Sequence, residues 1–450
     1  MRGTKLALVV TAIAVTAMVT SCAGTQPEAL DPESATCKPF KQYQGREGEV
    51  TIYSGYTSPD DKRYRESWKT FEQCTGITIK LTGDKDAETN LKIRVTGGNA
   101  PDLAMIAQPG RIQSMVATGK AIPANDVVAE NVKQNWNESW YEYGSVDGTF
   151  YAAPTVATVA SSVWYSPRAF AEQGLETPTT WDEMLTLSDE IAANGEKPWC
   201  VGIEAGSATG WIATNWLEEI VLRQQGPEVY DQWVAHEIPF NDPRIAEALA
   251  TAGDILKNDD YVNAGIGDVK SIATTSEDKA PLPILQATCS MSYNLSSYGT
   301  NWPEGTSTGP GEDDDTFTFY LPTISDDFGV PVEVGGDFLL AFSDRPEVQA
   351  VQEYLSSVEW AESRIAVHGG WISANNGVSA DTYADPVDRQ AFELLIDPDA
   401  VLRFDGSDMM PAAIGTGEFW TQMTQWILGQ DDQTTLDAIE DAWPKDGSSK

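Results

Sequence analysis

Apolar positions follow two different periods along the first third of the chain, which predicts strands alternating with helices. Val50 to Ser54 is typical of a strand, and beyond it Tyr64, Trp68 and Phe71 recur at helical spacing until Gly76. The same alternation continues with a strand at 77–81, a helix at 86–96 and a strand at 102–106. This order predicts a mostly parallel sheet with helices on both faces.

A second unit of the same kind follows an extended apolar segment at 156–165, which we interpret as a crossing between two lobes. Thr180 and Glu183 match the capping box that begins a helix. Further helices are predicted at 209–225, 227–235, 243–257 and from 346 to the end, and strands at 317–321 and 338–342. The pattern therefore predicts two doubly wound α/β units joined by an extended crossing.

The N-terminus predicts export. Arg2 and Lys5 precede an uncharged and mostly apolar run of 14 residues, Leu6 to Val19. A helix that crosses the hydrocarbon core of a membrane needs about 20 residues. The run therefore indicates a signal peptide that covers residues 1–21.

The residues that follow this run, Val19-Thr20-Ser21-Cys22, resemble the lipobox of bacterial lipoproteins. In that motif the cysteine becomes the first mature residue and carries acyl chains, so we expect Cys22 to be lipidated and residues 22–36 to form a flexible tether. The protein would then be held on the outer face of the cytoplasmic membrane, on its extracellular or periplasmic side. The alternative is cleavage near Cys22 with release into the medium.

The charge balance limits the kinds of partner that the protein can bind. The chain has 68 acidic and 29 basic residues, a formal net charge of −39, and loss of Arg2 and Lys5 with the signal peptide makes it −41. Nucleic-acid binding is disfavoured because it needs clustered Lys and Arg. Anionic lipid would be repelled, so contact with the membrane would depend on the acyl chains.

Few patterns indicate catalysis. The sequence G-x-S-x-G occurs at 305–309, but a nucleophilic serine needs a strand before it and a helix after it, and Pro303 and Pro310 lie there instead. His236 and His368, the two histidines, belong to no metal-binding spacing, and we predict no cofactor and no metal. The acidic run 312–315 is either a calcium ligand set or a solvated loop. Two of the many carboxylates could hydrolyse a glycoside, so a cell-surface glycoside hydrolase is the alternative function.

Seven segments resemble a known family. Those at 75–77 (TGI), 97–102 (GGNAPD) and 108–110 (QPG) are similar to ABC carbohydrate-binding proteins. Those at 199–204 (WCVGIE), 208–211 (ATGW), 236–243 (HEIPFNDP) and 403–411 (RFDGSDMMP) resemble its alpha-glucoside-binding branch, which is similar to maltose-binding protein. The segments cover nearly all of the mature chain in the family's order. At the place where that branch has a pair of polar residues, this chain has Ser-Met-Ser-Tyr-Asn at 290–294. The resemblance therefore does not fix which sugar is bound.

The resemblance implies a fold and a function. It implies two doubly wound α/β lobes joined by hinge strands, with 37–156 and 333–385 in the first lobe and 157–332 and 386–450 in the second. It implies the type II periplasmic-binding-protein fold and a monomeric receptor of an ABC importer, which captures an alpha-glucoside or related small oligosaccharide between its lobes and delivers it to permease subunits. No reaction is implied, so the chain is not expected to be an enzyme. A purely structural lipoprotein is a further alternative.

Eight side chains are candidates for the ligand site. Tyr56, Gln108 and Trp211 follow predicted strands, where ligands of such sheets bind. Aromatic rings can stack on sugars, and Trp420 matches a sugar-stacking tryptophan of maltose-binding relatives, with Trp371 and Tyr293 as further candidates. Core packing is the alternative for these rings. Two carboxylates complete the set, Asp337 after two glycines and Glu88 in the first turn of a helix. The alternative for Asp337 is a turn before a strand, and the alternative for Glu88 is a solvated surface position.

Four cysteines remain after Cys22, and they can pair in three ways. We predict bonds between Cys37 and Cys74 and between Cys200 and Cys289, because each then stays within one lobe and leaves the hinge free. Four reduced, buried thiols are the alternative, which export disfavours.

Overall fold

The computed structural model describes residues 29–263 and 267–444. The predicted signal peptide, residues 1–21, and the lipidation of Cys22 lie outside the described residues. Of the predicted tether, the described part packs on the first lobe, since Leu30 N donates to Gln73 O at 3.0 Å and Gln44 Nε2 donates to Pro32 O at 2.9 Å. No helix within 29–263 or 267–444 combines the length and the apolar character needed to cross a membrane.

Thirteen strands are assigned in the described residues: β1 (Gly48–Ser54), β2 (Ile77–Gly83), β3 (Leu103–Ile106), β4 (Ser145–Val146), β5 (Thr149–Phe150), β6 (Ala152–Val159), β7 (Ser162–Tyr165), β8 (Trp199–Cys200), β9 (Val262–Asn263), β10 (Met291–Tyr293), β11 (Phe317–Tyr320), β12 (Val330–Ala341) and β13 (Ala400–Phe404).

Seventeen α-helices are assigned in the same part of the chain: α1 (Asp60–Ser67), α2 (Lys69–Thr75), α3 (Ala87–Thr96), α4 (Pro109–Val116), α5 (Asp126–Asn135), α6 (Glu138–Tyr143), α7 (Pro167–Gln173), α8 (Trp181–Ala193), α9 (Trp211–Gln224), α10 (Pro227–Val234), α11 (Pro243–Leu256), α12 (Pro346–Leu355), α13 (Val358–Ile365), α14 (Pro386–Leu395), α15 (Gly406–Met409), α16 (Trp420–Ile427) and α17 (Asp432–Ala442).

The first sheet has the order β13-β12-β3-β1-β2, with β6 also paired to β12. Strand β1 runs parallel to β2 and β3, whereas β12 is antiparallel to β3 and β6. The predicted β-α-β-α-β unit is confirmed, but two features differ from the prediction. Strand β12 begins at Val330, because Gly335 and Gly336 are extended and pair with β6 instead of forming a turn. Strand β13 lies in a region predicted to be helical.

The second sheet has the order β11-β7-β10-β8-β9. The predicted crossing at 156–165 is extended, as expected, and supplies the end of β6 to the first sheet and β7 to the second. At the predicted start of α8, the Thr180 side chain accepts from Glu183 N while the Glu183 side chain accepts from Thr180 N, which confirms the capping box.

Two separate clusters of buried side chains form the cores. The chain leaves the first core after Val159 and enters the second core at Val163. It returns to the first core at Val332, remains there through Phe404, with Val387 alone in the second core, and ends in the second core. Residues 391–404 therefore pack with the first core, whereas the sequence places everything after 385 in the second lobe.

Both predicted disulfides are present. Cys37 is bonded to Cys74 with a Cα–Cα distance of 5.2 Å, and Cys200 is bonded to Cys289 with a Cα–Cα distance of 5.6 Å. Each bond joins two members of the same core cluster, so neither restricts motion between the lobes.

Candidate functional site

A cavity of about 310 Å³ lies between the two lobes. The first lobe contributes residues at the start of α1, in α13 and in the turn after α13, and the second contributes the start of α9 and the segments around β10. Residues of β6 line it where the chain crosses between lobes. The lining includes Tyr56, Asp60, Val156, Thr158, Trp211, Glu277, Asp278, Asn294, Asn301, Arg364 and Trp371.

Three predicted residues, Tyr56, Trp211 and Trp371, therefore line one cavity. Tyr56 and Trp371 belong to the wall of the first lobe, where both contact Tyr64. The ring of Tyr56 is 4.7 Å from that of Tyr64, and Trp371 Nε1 donates a hydrogen bond to the Tyr64 hydroxyl at 3.2 Å. The indole of Trp371 is buried, so this bond fixes the orientation of the ring at the cavity wall.

A buried arginine, Arg364, is part of this wall. The Arg364 guanidinium is 4.9 Å from the Tyr64 ring and 5.5 Å from the Trp371 ring, both cation–π distances. Its Nη1 donates to His368 O at 3.0 Å. Burial lowers the pKa of Arg364. The wall therefore presents aromatic faces together with a positive charge.

The opposite wall, in the second lobe, begins with Trp211. Trp211 is half-buried and is the first residue of α9. It follows Gly210, whose φ of +112° is a left-handed value that glycine adopts without strain. A Cβ at Gly210 would also collide with the carbonyl oxygen of Trp420, so glycine is needed for this approach. The packing of α9 on the Trp420 backbone thus sets the position of Trp211.

Two adjacent carboxyl groups, Glu277 and Asp278, also line this wall. Burial, followed by the charge of Asp278, raises the pKa of Glu277 to about 7. Asp278 Oδ1 accepts a hydrogen bond from Asn301 Nδ2 at 3.2 Å. The wall therefore offers acceptors for hydroxyl groups and, through Asn294 and Asn301, carboxamides that both donate and accept.

Asp337 lies next to the aromatic wall. It occupies the bulge of β12, where the register with β6 shifts between Asp337 and Phe338. Burial raises the pKa of the Asp337 carboxyl to about 6, and a hydrogen bond from Tyr56 opposes this rise. Burial is the main cause that raises the pKa of Glu88, and the negative charge of Asp337 raises it further.

Glu88 and Gln108 come together at a second place, around Arg111. Glu88 Oε2 is 3.1 Å from Arg111 Nε, and Arg111 Nε donates to Gln108 Oε1. The Gln108 side chain also hydrogen-bonds Asp408, whose pKa is raised well above its ordinary value by burial and by the charge of Asp405. This polar group lies where α4 approaches α15, apart from the cavity lining.

Two predicted residues lie elsewhere. Tyr293 is buried in the second core, with its ring 4.9 Å from that of Trp216 and its hydroxyl 3.5 Å from Glu219 Oε1. Trp420 is half-buried at the start of α16, after a π-helical turn at Ile414–Phe419, and its Nε1 is buried without a hydrogen-bond partner in the described residues. Neither side chain lines the 310 Å³ cavity.

Several lining residues were missed from the sequence. Arg364 carried a signal, because in α13 it shares the face of Trp360, four residues earlier, and an arginine on a core face indicates a buried charge. Asp60 looked like an ordinary acid in a first helical turn. Nothing local distinguishes Glu277 and Asp278 from the other acidic residues.

Solved structures of sugar receptors share this architecture. The bacterial solute receptor AcbH, described as having an exclusive substrate preference for β-D-galactopyranose, gives a TM-score of 0.73 at 18% identity over 88% of this chain and 98% of its own. A chitin oligosaccharide binding protein gives 0.71 at 16% identity over 88% and 98%. The fold is therefore that of a two-lobed binding protein of the type II periplasmic class, as predicted.

Sequence relatives place the chain in a family. Residues 55–361 match the family described as bacterial extracellular solute-binding protein. The osmoprotective compounds-binding protein GgtB of Synechocystis sp. is 37% identical over 398 residues, covering 88% of this chain and 93% of GgtB. The alpha-glucosides-binding periplasmic protein AglE of Rhizobium meliloti is 32% identical over 421 residues, covering 91% and 90%. The chain belongs to the bacterial extracellular solute-binding protein family.

Membership of this family settles the class of activity. The family and these relatives are solute-binding proteins and not enzymes, which confirms the predicted absence of catalysis. The chain is an extracellular solute-binding protein of the kind that serves ABC sugar transporters.

Proposed function

We propose that this protein captures an alpha-glucoside or a related small oligosaccharide in the interlobe cavity and delivers it to the permease subunits of an ABC importer. The observation that carries the proposal is the pairing of Trp371 and Tyr56 on one wall with Trp211 on the other. Sugar rings present apolar C–H faces that pack on aromatic rings, while their hydroxyl groups need directed polar partners. The carboxylates and carboxamides of the second lobe supply such partners.

The size of the cavity and the acidic residues of its lining disfavour a large or an anionic ligand. Its volume of about 310 Å³ lies at the lower end of the range of about 300–1,000 Å³ for small-molecule sites. Asp60, Glu277 and Asp278 are acidic, and the formal net charge of the chain is −39, which disfavours anionic solutes. The name of AglE, an alpha-glucosides-binding protein, supports a glucoside.

Closure of the lobes would follow ligand binding. A ligand that touches Trp371 and Trp211 contacts both lobes, so it binds the closed state better and shifts the population toward that state. Residues 160–162, between β6 and β7, are the segment where the chain leaves the first core for the second. We propose that the hinge lies there.

The protein would work at the membrane surface. The lipobox-like Cys22 would hold the mature chain on the outer face of the cytoplasmic membrane, close to the permease.

Isothermal titration of the mature chain with maltose, sucrose, trehalose and cellobiose tests the proposal. Maltose and cellobiose are matched, because they differ only in the configuration of the glycosidic bond. We expect binding of at least one alpha-linked sugar and at least tenfold weaker binding of cellobiose. A sugar present at 100 times its dissociation constant should also raise the free energy of unfolding by about 2.7 kcal/mol. Failure of every alpha-linked sugar to bind would refute the assignment.

A further inference from the structure

Three carboxyl groups meet where α9, β12 and the residue after β13 come together. They belong to Glu218, Glu333 and Asp405, and one oxygen of each lies within 4.8 Å of the other two. The side chains of Glu218 and Glu333 are fully buried. We refer to these three residues as the hinge triad.

Protein donors hold two members of the triad in place. The Glu218 carboxylate accepts from Gly406 N at 2.8 Å and from Ser407 N at 3.3 Å. Asp405 Oδ1 accepts from Ser407 Oγ at 2.7 Å and from Asp408 N at 3.0 Å. Such bonds favour ionised carboxylates. By contrast, Glu333 Oε2 is buried and has no hydrogen-bond partner among the described residues.

The negative charges of the hinge triad are not balanced by ion pairs among the described residues. No member of the hinge triad forms an ion pair with a basic side chain in the part of the chain that the structure describes. Arg223 is buried nearby, but it pairs with Glu219 and donates to Leu321 O at 3.1 Å. Several acids thus share one arginine, which is costly unless protons or a cation compensate.

Asn215 gives independent evidence of a missing partner. Its side chain is only 2% exposed, and its Nδ2 donates to Glu333 and, at 3.1 Å, to Asp405 Oδ2. The carboxamide is thereby held against the triad, yet its Oδ1 has no donor within the described residues. A buried acceptor without a partner costs about 1–3 kcal/mol. The Asn215 carboxamide therefore has an unused acceptor beside the three carboxylates.

We propose that the hinge triad, together with Asn215 Oδ1, binds a calcium ion. Ca²⁺ takes carboxylate and carboxamide oxygens at about 2.3–2.6 Å, so two of its ligands can lie up to about 5 Å apart, and the spacing of the triad fits within that limit. Mg²⁺ usually keeps several waters, for which a buried site is poorly suited. Zn²⁺ favours histidine and cysteine, neither of which belongs to this cluster.

The ion would link the two lobes at the hinge. Asn215 and Glu218 belong to α9 of the second lobe, whereas Glu333 belongs to β12 of the first sheet. Asp405 follows β13, where the chain passes to the second core for the last time. The ion therefore stabilises the junction and makes no contact with the sugar cavity.

Calcium titration of the mature chain, stripped of metal with EGTA and free of sugar, tests the site. Wild type, Glu333→Gln and Asp405→Asn are compared, and Asn remains a good helix N-cap at 405. Asp313→Asn in the exposed acidic run is the matched control, since it also removes one negative charge. We expect one Ca²⁺ per wild-type or Asp313→Asn chain, with a higher melting temperature in calcium.

Either triad variant should bind calcium at least tenfold more weakly and lose the calcium-dependent rise in melting temperature. Absence of binding by wild type, or wild-type affinity in a folded triad variant, overturns the proposal, as does loss of binding in Asp313→Asn. If one triad variant does not fold, the other decides the result. Because no sugar is present, these results do not depend on the proposed ligand.

Discussion

The Nε1 of Trp371 donates a hydrogen bond to the hydroxyl oxygen of Tyr64 at 3.2 Å, directly behind the cavity wall. Tyr64 also packs on Tyr56 and lies under the Arg364 guanidinium. Tyr64 therefore connects an aromatic lining residue, through its hydroxyl group, to a buried charge, through its ring. The indole orientation depends on this contact, because it is the hydrogen bond that Trp371 Nε1 makes among the described residues.

Tyr64→Phe should weaken both stability and sugar binding. The substitution leaves Trp371 Nε1 buried and unpaired, which should lower the free energy of unfolding by about 1–3 kcal/mol. Urea unfolding and isothermal titration measure the two effects. Tyr354→Phe is the matched control, because its hydroxyl donates to Ser67 O at 3.4 Å in the same core but does not line the cavity. Equal sugar affinity in both variants would show that the bond does not position Trp371.

Cys22→Ala should move the protein from the membrane to the soluble fraction. Two acyl chains hold a protein stably on a bilayer, and the acidic surface of this chain offers no other attraction to anionic lipid. Fractionation after a salt wash measures the change. Ser21→Ala, which keeps the cysteine, is the control and should remain bound. Retention of Cys22→Ala on washed membranes would contradict the anchor.

Sequence patterns predict the architecture here because local signals agree with tertiary structure. The capping box at Thr180 and Glu183 and the loops after strands that carry Tyr56 and Trp211 follow rules that hold within a few residues. The same local reasoning fails at Gly335, where a glycine pair that suggests a turn is extended by its pairing with β6. Only the partner strand, distant in sequence, determines that conformation.

The cavity itself was predicted only in part, for a physical reason. Its walls combine segments far apart in sequence, so Arg364 and Glu277 become neighbours of one space only after folding. Tyr293 shows the converse, since an aromatic residue after the second-lobe cysteine could face a ligand or the core, and packing on Trp216 decides for the core. Burial at such positions is a property of the assembled lobes.

Trp211→Ala and Trp420→Ala together test where the sugar binds. Both rings are half-buried, but only Trp211 lines the cavity. Loss of the Trp211 ring should cost about 1–3 kcal/mol of binding free energy, which is roughly 5- to 150-fold in affinity, with little change in the apo melting temperature. Trp420→Ala should bind sugar with an affinity closer to that of wild type. The opposite order, with a large loss only for Trp420→Ala, would place the site at α16.

Asp337→Asn should stabilise the protein at neutral pH and not at pH 4. Burial raises the pKa of this carboxyl to about 6, whereas an unfolded aspartate has a pKa of about 3.9. The native state therefore binds more protons between these values, so this residue's contribution to stability falls as the pH rises from about 4 to 6. Above pH 6, the buried charge costs up to about 3 kcal/mol, which the neutral amide avoids. Urea unfolding of the variant and wild type at pH 4 and 7.5 measures the difference, with Asp313→Asn as an exposed control. A difference that is the same at both pH values would mean that Asp337 does not titrate in this range.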